Sequence, residues 1–110
     1  MTIHLIRKET VENFCFFNAQ SRDSFEEWLN KLKYADWVTT YDMRQTFPSI
    51  DFLGNGSSRV VFDIGGNKYR LIAKYAFGEN QVHLFICWMG THANYSKLCE
   101  SNNQFNINLY

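Results

Sequence analysis

One stretch of the chain, Arg59 to Tyr95, alternates apolar and polar residues with the period of extended strands. It reads RVVFDIGGNKYRLIAKYAFGENQVHLFICWMGTHANY. Gly-Gly-Asn and Gly-Glu-Asn divide it into three runs rich in Val, Ile, Leu, Phe and Tyr. Such runs predict consecutive antiparallel strands joined by tight turns, here Arg59–Ile64, Lys68–Phe77 and Gln81–Met89. In the middle strand Tyr69, Leu71, Ala73, Tyr75 and Phe77 fall on one face. Lys68, Arg70, Ile72 and Lys74 fall on the other. One face suits a core, while the other carries cations on a rigid surface. A helical turn starting after the third strand would set His92 and Tyr95 side by side as i,i+3 neighbours.

The N-terminal half has a different period. Thr2–Ile6 is a short apolar run and a candidate edge strand. Over Glu9–Gln20, Val11, Phe14, Cys15 and Phe17 have helical spacing. Ser21 reads as an N-cap. Phe25, Trp28, Leu29 and Leu32 then follow at i, i+3, i+4 and i+7, predicting an amphipathic helix over Arg22–Ala35 whose aromatic stripe packs on the sheet. Thr40 is placed to cap a short helix at Tyr41–Thr46, which must stop before Pro48. Phe47–Ser58, with Pro48, Gly54, Asn55 and Gly56, reads as a loop. The tail, Glu100–Tyr110, alternates Asn with Phe105, Ile107, Leu109 and Tyr110, and its pattern fits either a disordered end or an added edge strand.

Helices first and a strand meander afterwards predict a single α+β domain over residues 1–110: a small antiparallel sheet with two to three N-terminal helices packed on one face. The other face, with Arg70 and Lys74, is expected to stay open. If Phe77 pairs with Gln81 across a three-residue turn, Val82, Leu84, Ile86 and Trp88 join that open face. A slip of one residue would exchange the third strand's two faces.

Composition narrows the class. Of 110 residues, 45% are apolar and 17% aromatic, enough for one packed core and too much for a disordered chain. The apolar runs are all shorter than the roughly 18 residues of a membrane span. MTIHLIRKE lacks the layout of a signal peptide, so the expected location is the cytoplasm, with no membrane partner. Cys15, Cys87 and Cys99 fit neither a disulfide framework nor a zinc site, and Cys15 and Cys87 read as small buried apolar residues. The net charge is zero, so an affinity for nucleic acid must come from the placement of cations rather than from their number.

The placement supports phosphodiester chemistry. Cleavage of RNA through its own 2′-hydroxyl needs a group to take that proton, a group to offset charge on the phosphate and a group to protonate the leaving 5′ oxygen. Arg70 suits the phosphate, because a guanidinium is always charged and presents a planar fork of donors. His92 suits proton transfer, histidine having a reference pKa near 6.5. Tyr95 acts as a base only if cations lower its pKa, and otherwise orients the hydroxyl or stacks on a base. Lys68, Lys74 and Arg59 are the remaining cations expected to hold RNA. No metal-ligand spacing is present and no cofactor is expected. Each candidate has a plainer role as well: Arg70 paired with Asp63 across the hairpin, His92 capping a turn, Tyr95 anchoring the core.

The phrases VVFDIGGNKYRLIAKY and GTHANYSKL, with FPSIDFLG upstream, resemble the HigB-type toxins of bacterial type II toxin–antitoxin systems, within the RelE-like superfamily. The match covers about residues 36–98, and G-N-K-Y-R-L followed by T-H-x-x-Y is specific as a pair. The resemblance implies an endoribonuclease cleaving translated mRNA on the ribosome. It implies a HigA-type helix-turn-helix antitoxin as inhibitor, the pair reaching operator DNA through the antitoxin. It places Arg70 at the scissile phosphate, Tyr95 at the attacking 2′-hydroxyl and His92 where relatives carry a C-terminal basic residue. The sequence departs from the pattern at Cys87, where many relatives have Arg, at Ser96, where many have Asp, and at Val61 and Asp63, near which the lysine pair of RelE-type enzymes would fall. Those departures favour one alternative, a module of the same fold that captures antitoxin with weakened catalysis; a toxin of the same fold aimed at a protein such as DNA gyrase is a third reading.

Overall fold

Glycine sets the hairpin that carries the cations. In the computed structural model, which describes residues 1–110, Gly65 and Gly66 both lie at φ 69°, a left-handed conformation that costs a residue without a Cβ little. They turn the chain between two long strands. In chain order the elements are β1 (Thr2–Ile6), α1 (Lys8–Phe17), α2 (Arg22–Tyr34), α3 (Thr40–Thr46), β2 (Asp51–Phe52), β3 (Arg59–Ile64), β4 (Tyr69–Phe77), β5 (Gln81–Thr91) and α4 (His92–Glu100). Single 3-10 turns occupy Ala19–Ser21 and Asn103–Phe105. The sheet order is β1-β5-β4-β3-β2, with β1 parallel to β5 and every other pair antiparallel. This is an α+β fold.

The core forms where the two periodicities meet. Val11 and Cys15 of α1, Phe25, Trp28 and Leu32 of α2 and Met43 of α3 join one cluster with Val60, Phe62, Ile64, Tyr69, Leu71 and Ala73 of the hairpin. Trp28 and Phe47 both stack edge-on against Phe62, with centroids 5.2 and 5.0 Å away. The stripe read on α2 is therefore its buried face. Helix α1 stops at Phe17, so Phe17 is exposed and only Val11, Phe14 and Cys15 of its expected face turn inward. Thr39, rather than Thr40, caps α3. The Asp42 carboxylate accepts from the backbone N–H groups of Val38 and Thr39 at 2.7 and 3.0 Å, which holds its pKa below the usual carboxylate value. Ser21 precedes α2 but its hydroxyl donates backwards to the Asn18 carbonyl at 2.6 Å, so it does not cap that helix.

Three expectations change. Phe77 pairs with Val82, not Gln81, which reverses the start of β5: Val82, Leu84 and Ile86 enter the main core. A β-bulge between Ile72 and Ala73 then places Ile72 opposite Trp88 and Ala73 opposite Ile86, with Cys87 as the extra residue. Beyond it Trp88 does lie on the second face, as expected, together with Cys87. The second face is not open. Val61, Ile72, Cys87 and Trp88 form a smaller buried cluster, roofed by Tyr95 and Leu98 of α4 and by Ile107 of the tail. The tail is neither disordered nor a strand of the sheet. Leu109 N–H donates to the Cys87 carbonyl at 2.9 Å, and the Arg59 guanidinium donates to the carbonyls of Gln104 and Ile107 at 3.2 and 2.6 Å. No helix is long and apolar enough to cross a membrane.

Leu71 is fully buried at the centre of β4. Leu71→Ala should therefore cost about 2–5 kcal/mol in urea unfolding, while Lys33→Ala on the solvated face of α2 should stay within about 0.5 kcal/mol.

Candidate active site

Strand β4 brings its first cation to the turn end of the sheet. Arg70 stands directly opposite Asp63 of β3 on one side and Gly90 of β5 on the other. Its Nε donates to Asp63 Oδ1 at 2.9 Å, one terminal nitrogen to the Asn67 side-chain oxygen at 3.2 Å, and the other to the Tyr69 carbonyl at 3.2 Å. Arg70 is 8% exposed, so these contacts fix the plane of the guanidinium. The cross-hairpin pair with Asp63 weighed from sequence is present. It occupies the Nε edge and leaves a guanidinium, with five N–H donors, capacity for a further acceptor.

Helix α4 follows β5 without a linker. Thr91 caps it, its hydroxyl accepting from Asn94 N–H at 3.2 Å. His92 is the first helical residue, and its backbone N–H donates to the Lys68 carbonyl at 3.0 Å. That bond ties the start of α4 to the entry of β4, two residues from Arg70. The His92 and Lys68 side chains are exposed. One turn on, Tyr95 packs on Trp88 with ring centroids 6.1 Å apart. Trp88 in turn lies across Gly90: a Cβ there would stand 2.6 Å from the indole. Gly90 thus lets the Trp88–Tyr95 stack sit beside Arg70.

The electrostatics of Tyr95 differ from those of an activated phenol. Burial, contact with the Cys99 side chain and the nearby Asp51 carboxylate push its pKa well above the usual value, and Arg70 offsets this only in part. Tyr95 therefore stays protonated and works as a hydrogen-bonding group or a stacking surface. Burial also raises the Cys87 thiol, against the opposing pull of Arg59 and Lys74.

The cations expected to hold RNA separate into two places. Lys68 shares the end of the sheet with Arg70 and His92. Arg59 and Lys74 pair with each other across β3 and β4 at the far end. Arg59 is 9% exposed and its donors go to the tail, so it acts first as the tail's anchor. Asp63 was foreseen only as a plain ion-pair partner; Asn67, Gly90 and Trp88 were not foreseen at this site. A carboxylate opposite the strand arginine was legible from the hairpin, but the Trp88 contact depends on a bulge that periodicity does not reveal. No group of three or more His, Cys, Asp or Glu side chains is arranged to hold a metal ion.

Comparison with known proteins adds two findings. Residues 21–98 match the family described as HigB_toxin, RelE-like toxic component of a toxin-antitoxin system. The chain is also 28% identical over 96 residues to the mRNA interferase HigB of Escherichia coli O6:H1, an alignment covering 87% of this chain and 91% of that protein. The family match runs from α2 to α4 and ends before the tail.

A raised pKa at Tyr95 means that the folded state binds this proton more tightly than the unfolded chain. Its contribution to stability is complete below about pH 10 and is lost as the pH rises through the raised value. In the native state at about pH 11, the parent and Tyr95→Phe should show the same phenolate absorbance. In urea they should differ by one tyrosine. A native-state difference of one phenolate would contradict the assignment.

Proposed function

Because this chain belongs to the HigB family of RelE-like toxins in toxin–antitoxin systems, we propose that it is a metal-independent endoribonuclease that cleaves translated mRNA on the ribosome. Its inhibitor is a HigA-type helix-turn-helix antitoxin, through which the pair reaches operator DNA, and its site of action is the cytoplasm. The observation that carries the reading is the convergence of Arg70 on β4 with His92 and Tyr95 on α4, distant from it in sequence, at one end of the sheet.

The chemistry follows from the placement. The substrate 2′-oxygen attacks phosphorus, the P–O2′ bond forms and the P–O5′ bond breaks. The 2′-hydroxyl proton passes to solvent water, and the 5′ oxygen gains one in exchange. Arg70, already oriented by Asp63 and Asn67, offsets the charge that builds on the non-bridging oxygens. Tyr95, kept neutral, orients the 2′-hydroxyl by accepting from it, or stacks on the adjoining base. Proton transfer to the 5′ oxygen falls to His92, whose exposed ring can reach an incoming strand. Lys68, exposed beside it, supports the neighbouring phosphate. Asp63 and Asn67 act as positioning residues for Arg70.

A second reading rests on the ion pair itself. Arg70 is buried and engaged by Asp63, and Cys87 and Ser96 replace family residues. A module that captures antitoxin without cleaving RNA would show the same features.

Induced expression separates the two. The nuclease reading expects growth arrest, with new mRNA ends appearing within translated regions and absent when ribosomes are withheld from the purified reaction. Arg70→Ala should lower cleavage roughly 10²–10³-fold, and His92→Ala roughly 10²-fold or more. Arg70→Lys should restore little, because the charge returns without the fork. Full toxicity in these variants would overturn the site. Tight antitoxin capture without growth arrest would select the second reading.

A further inference from the structure

At the end of the second face remote from Arg70, a cavity of about 640 Å³ opens between the β1–α1 junction, β4, β5 and the tail. Arg7, Arg59 and Lys74 line it together with Phe85, Cys87 and Tyr110, and no Asp or Glu side chain does. Arg7 and Lys74 are exposed, and neither has a carboxylate within ion-pair distance: the ion pairs of the chain are Met1 with Asp36 and Arg70 with Asp63. Arg59 donates to two backbone carbonyls, which are neutral, so its charge is not cancelled either. Three positive charges thus face one concavity in a protein of zero net charge. The walls are aromatic: Phe85 and Tyr110 are each 41% exposed. Arg7, moreover, holds φ 71° as a non-glycine residue, a conformation that protein chains retain where something over-determines it.

Cations beside exposed rings match a ligand with a charged group next to a flat apolar one. We infer that this cavity is a nucleotide subsite for single-stranded RNA, in which Arg7 and Lys74 hold a backbone phosphate and Phe85 or Tyr110 stacks on the adjoining base. The choice of RNA rests on the nuclease reading; the geometry of the subsite does not. Along β4, Lys74 lies four residues from Arg70, about 13 Å at the rise of a strand. The sheet between them is roofed by Tyr95, Leu98 and Ile107. A strand held at both ends therefore crosses the outside of that roof, and the two ends grip different nucleotides. The subsite makes cleavage depend on RNA beyond the scissile step.

The test uses the whole chain and a short fluorescent RNA methylated at every 2′-oxygen, which cannot be cleaved through that hydroxyl. Anisotropy should report binding that Arg7→Ala/Lys74→Ala weakens about tenfold or more, with the salt slope reduced by about 0.7 for the one phosphate no longer held. Tyr110→Ala should weaken it about fivefold or more through lost stacking. All three residues are exposed, so these variants should keep the parent's unfolding midpoint. Lys33→Ala, an exposed cation on another face, should leave binding unchanged. Equal affinity in parent and double variant, no binding by the parent, or displacement of the probe by a short poly-glutamate peptide as readily as by RNA would each overturn the subsite. If the parent cleaves mRNA and the double variant does so with unchanged KM, the subsite fails and the nuclease stands. If binding follows the predicted pattern but no mRNA is cut, the nuclease fails and the subsite stands.

Discussion

The β-bulge in β5 is the constraint on which the arrangement depends. A regular strand shows alternate residues to one face throughout. With Val82, Leu84 and Ile86 in the core, a regular β5 would also send Trp88 inward and expose Met89. Cys87, the extra residue opposite the Ile72–Ala73 step, resets the alternation. Past it Met89 faces the helices while Trp88 and Gly90 face the side of Arg70. One strand thus serves the main core along its first half and the candidate site along its second. Helix α4 grows directly from that second half, so the bulge also decides on which side of the sheet His92 and Tyr95 land.

The second consequence is a divided face. The strip of Val61, Ile72, Cys87 and Trp88 is apolar and covered. It keeps the cations of the β3–β4 hairpin apart, with Arg70 and Lys68 at the turn end and Lys74 with Arg59 at the other. A neutral chain thereby presents cations at both ends of this face, Lys68 beside the Arg70–Asp63 pair at one and Lys74 beside Arg59 at the other. Screening at physiological ionic strength acts over about 8 Å, less than their separation along β4, so each end sets its own local potential. Its own partial burial in that roof raises the pKa of Tyr95, so the phenol keeps its proton.

Much of this was legible from residues alone. Alternation gave the bounds of β3 and the two faces of β4 because each side chain there has a single environment. The stripe of α2 was legible because helix spacing and core contact coincide. G-N-K-Y-R-L and T-H-A-N-Y singled out Arg70, His92 and Tyr95, which lie toward one end of the sheet, and the hairpin register offered the Asp63 pairing that is present. The β5 register was hidden, since Leu84 and Ile86 lie on one face, Phe85 and Trp88 on the other, and only a two-for-one pairing tells which is which. The tail was hidden for another reason. Its order comes from main-chain carbonyls taken up by Arg59 and from one N–H given to Cys87, and backbone bonds leave no mark in side-chain pattern.

Cys87 also shows how a departure from a family pattern acts physically. The resemblance read from the sequence has many relatives carrying an arginine where this chain has a thiol at the bulge. Burial keeps that thiol protonated and neutral, so it contributes no charge to the second face. Two cations stand next to it, Arg59 through the tail and Lys74 through β4, close enough to pull on its titration. An arginine in place of Cys87 would crowd them, because three neighbouring guanidinium and ammonium groups repel at low local dielectric unless an anion lies between them. A small neutral residue there instead leaves room for the tail to cross and for Arg59 to bind it. The centre of this face is therefore neutral, and its cations stand at the rim.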